Sequence, residues 1–315
     1  MNGFIYNERY ITRLQSHLSQ RKSKYITYPK FLFLCGRGIN PLAGFAYEGS
    51  NRDNLDKFVA KVSHNFVYTF LSEKLWDDNI FPQIDLLTFE EFLVDISDLI
   101  VIFVESPGTF CELGAFSTAD KSFLEKTVIV VDELYEHGDS FVIKGPVTKA
   151  KRKNSRVIFA QLESRATLSS FELRELIQKQ VNDWRSPHHP CNLFQINLDS
   201  SRVKLKPFIY ELLELLRYVQ PILEGDLIQL YKKIKNFNSF NFVQDNDKPY
   251  SQEIKPAFIF KILITIGILE KTASGYLVIS DYRKAQSFMF DATALQQEKL
   301  RNQILCRKYH YKDLV

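Results

Sequence analysis

Glu112 is the acidic residue whose surroundings best suit chemistry on a small ligand. It follows residues 99–104, an apolar run typical of a strand that is covered on both faces. Residues 105–109, Glu-Ser-Pro-Gly-Thr, end that run, and the pattern after them predicts a helix start. In open α/β sheets, ligands bind at the carboxyl ends of strands, beside helix N-terminal amides that favour anionic groups. The pattern therefore predicts that Glu112 lies at such a site.

The same residues allow a purely structural interpretation of Glu112. Ser106 or Thr109 can cap the helix, and Pro107 suits its first turn. Glu112 follows Thr109 by three residues, which is the spacing of a capping box, and a glutamate at that position often does nothing but cap.

A carboxylate at this position supports three kinds of chemistry at a ribose. It can attack C1′ of an N-glycoside, activate a water molecule, or hold ribose hydroxyls. Cleavage of the glycosidic C–N bond passes through an oxocarbenium-like state, which a nearby anion stabilises. Gly108 and Gly114 flank Glu112 and allow backbone and substrate to approach it, which favours Glu112 over Glu105 as the reacting acid. Glu105 could instead assist or cap.

Two further segments are candidates for contacts with a nucleotide. Residues 30–36 predict a strand, and the turn of Gly36, Arg37 and Gly38 after it suits a phosphate or a ribose, with an ordinary tight turn as the alternative. Trp76 could stack on a base while Asp77 or Asp78 holds sugar hydroxyls, although a tryptophan can equally cover a helix end. The predicted catalytic residue is Glu112, and the predicted substrate-binding residues are Gly36, Arg37, Gly38, Trp76, Asp77, Asp78, Glu105, Ser106, Gly108 and Thr109.

The elements that position these residues alternate between strands and helices. Helices are predicted over residues 54–71 and 86–95, and further strands over 126–132 and 154–160. This order predicts an α/β fold with a parallel sheet and right-handed crossovers. The basic run 143–153 is predicted as a solvated loop, with a contact to phosphate or nucleic acid as the alternative.

The pattern changes after a break rich in proline and histidine at residues 185–190. The predicted domains are a helical lead-in over 1–28, an α/β domain over 29–185, a linker over 186–206 and a mainly helical domain over 207–315. Within the last domain, a helix, a stop at Gly267 and a strand hairpin follow one another, which is the order of a winged helix. Winged helices contact DNA or dock proteins, and the basic balance of this half permits DNA contact.

Composition narrows the class of protein. The net charge is +4, and no apolar stretch approaches the roughly 18 to 20 residues that span a bilayer, so the sequence predicts a cytoplasmic protein without membrane contact. The four cysteines are scattered, with no CxxC pair, and predict reduced thiols. His188, His189 and Cys191 could form a metal site, but a solvated turn is the favoured interpretation, so no metal site and no cofactor are predicted.

Three motifs together resemble a known family. Residues 31–36 (Phe-Leu-Phe-Leu-Cys-Gly), 105–117 and 144–147 (Lys-Gly-Pro-Val) are similar to the effector toxins of retrons that carry a nucleoside 2-deoxyribosyltransferase-like domain and a C-terminal winged-helix-like module. The resemblance implies a flavodoxin/Rossmann-like sheet, with Glu112 as the catalytic residue. It also implies N-glycosidic cleavage, with NAD⁺ as the substrate that becomes nicotinamide and ADP-ribose. The implied partners are a reverse transcriptase and RNA-linked single-stranded DNA (msDNA), which restrain the toxin until phage infection; a homo-oligomer is a further expectation.

Two rival functions stay open at the level of sequence. One is a non-catalytic nucleotide-sensing regulator that binds DNA, and the other is a nucleoside 2-deoxyribosyltransferase. The chain is much longer than the deoxyribosyltransferases of nucleoside salvage and lacks their usual acid-rich run. Phosphoribohydrolases are also similar, but only one glycine precedes Thr109 here, where their motif has two in succession.

Overall fold

The computed structural model of the chain describes residues 8–20, 29–38, 48–64, 66–76, 84–118, 121–162, 170–185 and 201–280. These residues form two compact units. The sheet unit is the described part of residues 29–186, and the helical unit combines the described parts of residues 1–28 and 187–315. Within the described residues, none of the helices has the length and apolar character that crossing a bilayer requires.

Helices and strands are numbered along the chain. The helices are α1 Glu8–Gln20, α2 Asn51–Ser63, α3 Ser72–Leu75, α4 Leu86–Ile96, α5 Pro107–Phe116, α6 Lys121–Glu125, α7 Thr148–Arg152, α8 Phe171–Arg185, α9 Leu205–Val219, α10 Glu224–Lys235 and α11 Pro256–Thr265. The strands are β1 Lys30–Cys35, β2 Val67–Phe70, β3 Leu99–Val104, β4 Thr127–Asp132, β5 Arg156–Ala160, β6 Arg202–Lys204, β7 Asn241–Val243, β8 Leu269–Lys271 and β9 Leu277–Ile279.

The sheet unit is built on a five-stranded parallel sheet in the order β2-β1-β3-β4-β5. Every residue of β3 is buried, as its apolar run predicts, because strands flank it on both edges. The strand order is that of doubly wound, flavodoxin-like sheets, and it confirms the predicted α/β class. From β1 the chain adds β2 on one side of the sheet, and it then adds β3, β4 and β5 on the other side, so the order of strands reverses between β1 and β3. Ligands bind beside the carboxyl ends of strands at such a point.

The first helix predicted for the sheet unit is longer than the observed one. The sequence predicts a helix over residues 54–71, whereas α2 ends at Ser63 and residues 67–70 form β2. His64 ends α2 in the left-handed region, with φ 51° and ψ 41°. The segment that follows, Val-Tyr-Thr-Phe, is β-branched and aromatic and therefore favours a strand. Phe66 and Phe70 matched the helical period by coincidence, so this prediction was wrong over its last third.

The basic run 143–153 is helical, so the predicted loop was wrong. Residues 143–147 form one π-helical turn, and α7 follows it directly. Val147 and Ala150 are buried one helical turn apart and anchor the segment to the core, while Lys149 and Arg152 stay exposed. The basic side chains are thus solvated as predicted, while the buried Val147 and Ala150 hold the backbone in a helix.

The helical unit is centred on α9, whose side chains are almost all buried. Gly267, with φ 76°, follows α11, and β8 and β9 then pair antiparallel around a turn at Gly275, with φ 83°. The predicted order of helix, stop and hairpin is therefore present. Its function as a winged helix stays a prediction, and the tail over residues 281–315 lies outside the described residues.

Buried polar groups in the helical unit satisfy one another. Glu211 accepts hydrogen bonds from the Tyr231 hydroxyl at 2.6 Å and from Lys235 Nζ at 2.8 Å. A buried carboxylate with both oxygens engaged is stable where an unpaired one would not be. Helix α1 also packs in this unit, and the Gln15 side chain donates to the carbonyl of Ile234 at 2.9 Å.

Candidate active site

Glu112 lies beyond the first turn of α5, so it is not a capping residue. The capping box consists of Ser106, whose side chain accepts from the backbone N–H of Thr109, and of Thr109 in return. Glu112 is half-buried, and its Oε2 is fully buried with no hydrogen-bond partner among the described residues. The capping interpretation of Glu112 is therefore wrong, and its Oε2 atom has no partner among the described residues.

The Thr109 hydroxyl fixes the turn from β3 into α5. It accepts hydrogen bonds from the N–H groups of Glu105 at 3.1 Å and Ser106 at 3.0 Å, and it donates to the Ser106 carbonyl at 2.8 Å. Thr109 is 0% exposed. The geometry thus gives Ser106 and Thr109, both predicted to bind substrate, the visible task of holding the turn that carries Glu112.

Glu105 ties three segments together at the carboxyl edge of the sheet. Its Oε1 accepts from the backbone N–H of Arg37 at 3.0 Å, and its Oε2 accepts from Asn51 Nδ2 at 2.7 Å. Asn51 also donates to the Leu162 carbonyl at 3.0 Å. Both oxygens of Glu105 are engaged, so its role here is to join the turn after β1 to the start of α2.

Arg52 is a buried cation that the sequence analysis missed. It is 2% exposed; its Nη1 pairs with Glu73 Oε1 at 2.6 Å, and its Nη2 donates to the Arg37 carbonyl. A Cβ atom at Gly36 would lie 2.8 Å from Arg52 Cγ and 2.9 Å from its Cδ. Gly36 is therefore needed for the close approach of this arginine, which is a different reason from the predicted phosphate contact.

Glu90 is a second buried carboxyl group near Glu112. It lies on α4 and is 4% exposed, and the Ser72 hydroxyl at the start of α3 donates to it. Burial raises the pKa of Glu90 to about 7, and the negative charge of Glu73 contributes in the same direction.

The pKa of Glu112 is raised to about 7 as well. Burial is the main cause, and the negative charge of Glu90 adds to it. A hydrogen bond from the Cys35 thiol and the positive charge of Arg52 act in the opposite direction. Burial raises the pKa of Cys35 itself, which is 3% exposed, so the thiol stays protonated as a donor. Glu112 therefore changes charge near neutral pH, the range in which a general base or a nucleophilic carboxylate is useful.

Of the remaining predicted site residues that the structure describes, three are exposed and the fourth packs against an aromatic ring. Arg37 and Gly38 are exposed, and Gly108 is exposed at the start of α5 with only Ser106 Oγ, at 3.9 Å, near a Cβ position. Trp76 follows α3 and packs edge-on against Phe89, with ring centroids 5.2 Å apart. Asp77 and Asp78 lie outside the described residues.

The structure therefore joins five of the eleven predicted site residues into one network. Hydrogen bonds connect Arg37, Glu105, Ser106 and Thr109, and Gly36 lies against the side chains of Arg52 and Glu105. Within the described part of the chain, no group of three or more His, Cys, Asp or Glu side chains is arranged to hold a metal ion.

The residues that the sequence analysis missed are Cys35, Arg52, Ser72, Glu73 and Glu90. Two of them carry a signal in the sequence. Arg52 shares a helix face with the buried Leu55 and Val59, and Glu90 shares one with the buried Val94. A charged residue at an apolar helical position indicates a buried partner and is informative for that reason.

Comparisons with known proteins agree with the resemblance seen in the sequence. A relative from Escherichia coli, "Retron Ec86 putative ribosyltransferase/DNA-binding protein", is 33% identical over 153 residues, which are 48% of this chain and 45% of that protein. The corresponding protein of retron Ec73, also from Escherichia coli, is 31% identical over 121 residues, or 38% of this chain and 37% of that protein. The chain thus matches less than half the length of these curated relatives.

The solved structures that match include the flavoenzyme NAD(P)H:acceptor oxidoreductase FerB from Paracoccus denitrificans. It is 7% identical, with 50% of this chain and 96% of that chain covered and a TM-score of 0.26. A TM-score of this size supports no conclusion about fold or function. The family model described as STM3845 retron effector protein matches residues 48–271, most of both described units. The chain therefore belongs to the STM3845 retron effector protein family.

Proposed function

We propose that this retron effector is an N-glycosidase that cleaves NAD⁺ to nicotinamide and ADP-ribose. The single observation that carries the proposal is Glu112, a buried carboxyl group with one unpartnered oxygen beside the point where the sheet winding reverses. The names of the two retron relatives refer to ribosyltransferase chemistry, which belongs to the same reaction class.

The proposed reaction breaks the bond between C1′ of the ribose and the nicotinamide nitrogen. The bonding electron pair leaves with that nitrogen, which loses its positive charge, so the leaving group needs no proton. Positive charge develops at C1′, where the ionised Glu112 stabilises it through Oε2 or forms a glycosyl ester with it. A water oxygen then bonds to C1′ and the water's proton is released, giving ADP-ribose; where the ester has formed, its C1′–O bond breaks in this step and the electron pair returns to the Glu112 carboxylate.

The surrounding residues have supporting roles in this proposal. Thr109 and Ser106 hold the start of α5, Cys35 donates to Glu112, and Gly36, Arg37 and Gly108 are the proposed contacts of the phosphates. Oε2 has no described partner, so it is the oxygen proposed to meet the substrate; it is fully buried in this structure, so neighbouring side chains must move for the substrate to reach it. Asp77 or Asp78 is proposed to hold ribose hydroxyls.

A Glu112→Gln variant of the full chain tests the proposal. The purified proteins are incubated with NAD⁺ at neutral pH, and nicotinamide and ADP-ribose are followed by chromatography. Loss of the ionisable group should lower kcat by about 100- to 10,000-fold. The matched control is Glu91→Gln, an exposed glutamate on α4, which should retain wild-type turnover. Undiminished turnover in Glu112→Gln would remove Glu112 from the mechanism.

The same assay separates the rival functions. Tight binding of NAD⁺ without product would indicate a nucleotide-sensing regulator, and base exchange between free deoxynucleosides would indicate a deoxyribosyltransferase.

We also propose that the protein is the toxin of an anti-phage retron and that a reverse transcriptase with its msDNA restrains it. The helical unit, with its hairpin β8–β9, is the proposed contact with these partners. Expression of the chain alone should arrest growth and deplete NAD⁺, and co-expression with the retron's reverse transcriptase and RNA should restore both. Equal toxicity with and without these partners would contradict the restraint.

A further inference from the structure

Positive charge is concentrated in one stretch of the chain, residues 140–162. This stretch contains six Lys and Arg residues and no Asp or Glu. The other residues hold 35 Lys and Arg and 37 Asp and Glu, a net charge of −2, whereas the whole chain carries +4. The basic character of the protein therefore belongs to one segment of the sheet unit, and the proposed reaction gives that segment no role.

Three of these cations form a basic patch on α7, which consists of Lys149, Lys151 and Arg152. All three side chains are exposed, and none of them forms an ion pair within the described residues. Three uncompensated cations on one five-residue helix make a surface that attracts an anion with closely spaced charges.

The other cations of the stretch do not belong to the patch. Lys144 pairs with Asp139, and Lys153 is half-buried. Arg156 is exposed, but side chains alternate along β5, so it points to the sheet face opposite Phe159. Lys151 lies over the Phe159 ring, with 5.1 Å between Nζ and the ring centroid, which places α7 on the other face from Arg156.

The backbone of α7 is anchored, so the patch is formed before a ligand binds. Val147 and Ala150 are buried, which leaves the outer side of the helix to the three cations. The Ala150 carbonyl accepts from the N–H groups of Lys153 at 2.9 Å and Ser155 at 3.1 Å, and the Ser155 hydroxyl donates to the Leu124 carbonyl at 2.8 Å. Binding at an anchored helix does not incur the entropic cost of ordering a loop.

The chemistry of the patch fits the phosphate backbone of a duplex. A DNA duplex carries one negative charge per about 1.7 Å of helix axis, and Lys and Arg neutralise its phosphates without a sequence requirement. A single strand is held by rings that stack on its bases, whereas Phe159, the ring in contact with the patch, is half-buried under Lys151. A membrane-surface helix needs an apolar outer face, whereas the apolar residues of α7 face the core.

The winged-helix-like module is less suited to this contact. The helix before its hairpin, α11, contains one basic residue, Lys261, and that residue is half-buried. A helix that enters a DNA groove needs side chains that reach phosphates and base edges. Helix α7 is only about 7 Å long, too short to read a groove, so its contact is with the backbone alone.

We propose that the basic patch on α7 binds the phosphate backbone of a DNA duplex without reading its sequence. The inference goes beyond the proposed function, which gives the contact with the retron partners to the helical unit. It assigns the contact with nucleic acid to the sheet unit, and it does not depend on NAD⁺ cleavage.

Binding of a short labelled DNA duplex of arbitrary sequence, followed by fluorescence anisotropy, tests the proposal. The patch variant of the full chain carries Lys149→Gln, Lys151→Gln and Arg152→Gln. Each phosphate contact contributes about 0.9 to the slope of log K against log salt concentration, so loss of the patch should reduce the slope by about 3. Binding in about 0.1 M salt should weaken by about 10-fold or more.

The matched control variant carries Lys61→Gln, Arg174→Gln and Lys179→Gln, three exposed positions on α2 and α8. Its net charge changes by the same amount, but α2 and α8 pack against each other, away from α7, and α8 also carries acidic residues. The control should keep the wild-type slope and affinity. Equal losses in both variants, or no duplex binding by the wild type in about 50 mM salt, would overturn the proposal.

A charge-preserving variant separates the effect of charge from an effect on folding. Lys149→Arg, Lys151→Arg and Arg152→Lys together should keep the wild-type slope, and loss of duplex binding in this variant would also overturn the proposal.

Two further probes identify the partner. Single-stranded DNA of the same sequence should bind more weakly than the duplex, and vesicles that contain phosphatidylserine should not bind through the patch. Tighter binding of the single strand, or patch-dependent binding of vesicles without duplex binding, would contradict the proposal. All measurements are made without NAD⁺, so a chain that binds the duplex through the patch but does not cleave NAD⁺ would refute the proposed function alone.

Discussion

At the scale of single residues, the two acids at the carboxyl edge of the sheet, Glu105 and Glu112, differ in their hydrogen-bond partners. Glu105 is the acid closest to the strand end, yet both of its oxygens are occupied by Arg37 and Asn51. Glu112 has a bare oxygen instead. Sequence spacing places both acids at the same edge of the sheet, and only the hydrogen-bond partners distinguish Glu105, which joins three segments, from Glu112, the proposed reacting acid.

A Gly36→Ala variant tests the packing of Arg52. The new Cβ would come within 2.9 Å of two carbons in the middle of that side chain, which is buried and whose guanidinium group is held by Glu73 and the Arg37 carbonyl. Arg52 must shift, and with it the charge that faces Glu112, so kcat/KM for NAD⁺ should fall by about 10- to 100-fold. Gly225→Ala, where a Cβ meets nothing within 4 Å, is the control and should retain activity. Equal activity in both variants would show that Arg52 tolerates displacement.

At the scale of elements, the turn from β3 into α5 was the part best predicted from sequence. The apolar run 99–104 and the Ser-Pro-Gly-Thr segment after it carry strong local signals for a buried strand and a helix start. Capping depends on neighbours in sequence, and an unbroken apolar run predicts a buried strand whichever elements come to cover it. The predicted α/β class follows from the same runs and is confirmed by the sheet.

Other parts of the site could not be predicted because they depend on contacts between distant elements. Cys35, Arg52, Glu73 and Glu90 come from four different elements, and nothing in their local sequence states that they meet. The end of α2 was mispredicted because Phe66 and Phe70 fit a helical period although His64 turns the chain. The helical run 143–153 was missed because its two anchoring residues are small and its charges dominate the pattern.

A Thr109→Val variant tests the turn as an element. Valine keeps the shape of threonine but removes the acceptor of the Ser106 N–H, while the Glu105 N–H keeps only the Phe103 carbonyl, so the sheet unit should lose about 1 to 3 kcal/mol of unfolding free energy. Both tryptophans, Trp76 and Trp184, belong to this unit, so urea unfolding followed by tryptophan fluorescence reports on it alone. Thr109→Ser keeps the hydroxyl and should retain most of the stability. Equal losses in both variants would show that the methyl group, rather than the hydroxyl, matters.

At the scale of the whole molecule, the chain consists of two units that need not unfold together. The helical unit contains no tryptophan, and its core is formed by α9, α10, α11 and the buried face of α1. A single unfolding free energy therefore describes neither unit, and two probes are needed to follow them separately.

A Leu14→Ala variant tests the attachment of α1. Leu14 is 3% exposed, and truncating a buried leucine costs about 2 to 4 kcal/mol. Circular dichroism should therefore show an earlier transition for the helical unit, while the tryptophan fluorescence midpoint stays at its wild-type value. Arg13→Ala, a change at the neighbouring exposed position, should leave both transitions in place. A joint shift of both midpoints in Leu14→Ala would mean that the units unfold as one.

The hydrogen bond from Gln15 to the carbonyl of Ile234 joins positions 219 apart in the sequence. On the ribosome, α1 therefore emerges long before the helix that receives it, and all five strands of the parallel sheet are synthesised in the interval. The nascent α1 must keep its apolar face, with Leu14 and Leu18, from associating elsewhere until α10 has been made. Completion of the helical unit is thus a late event in synthesis, and truncated chains that stop before α10 would carry a finished sheet and an amphipathic helix without its partner.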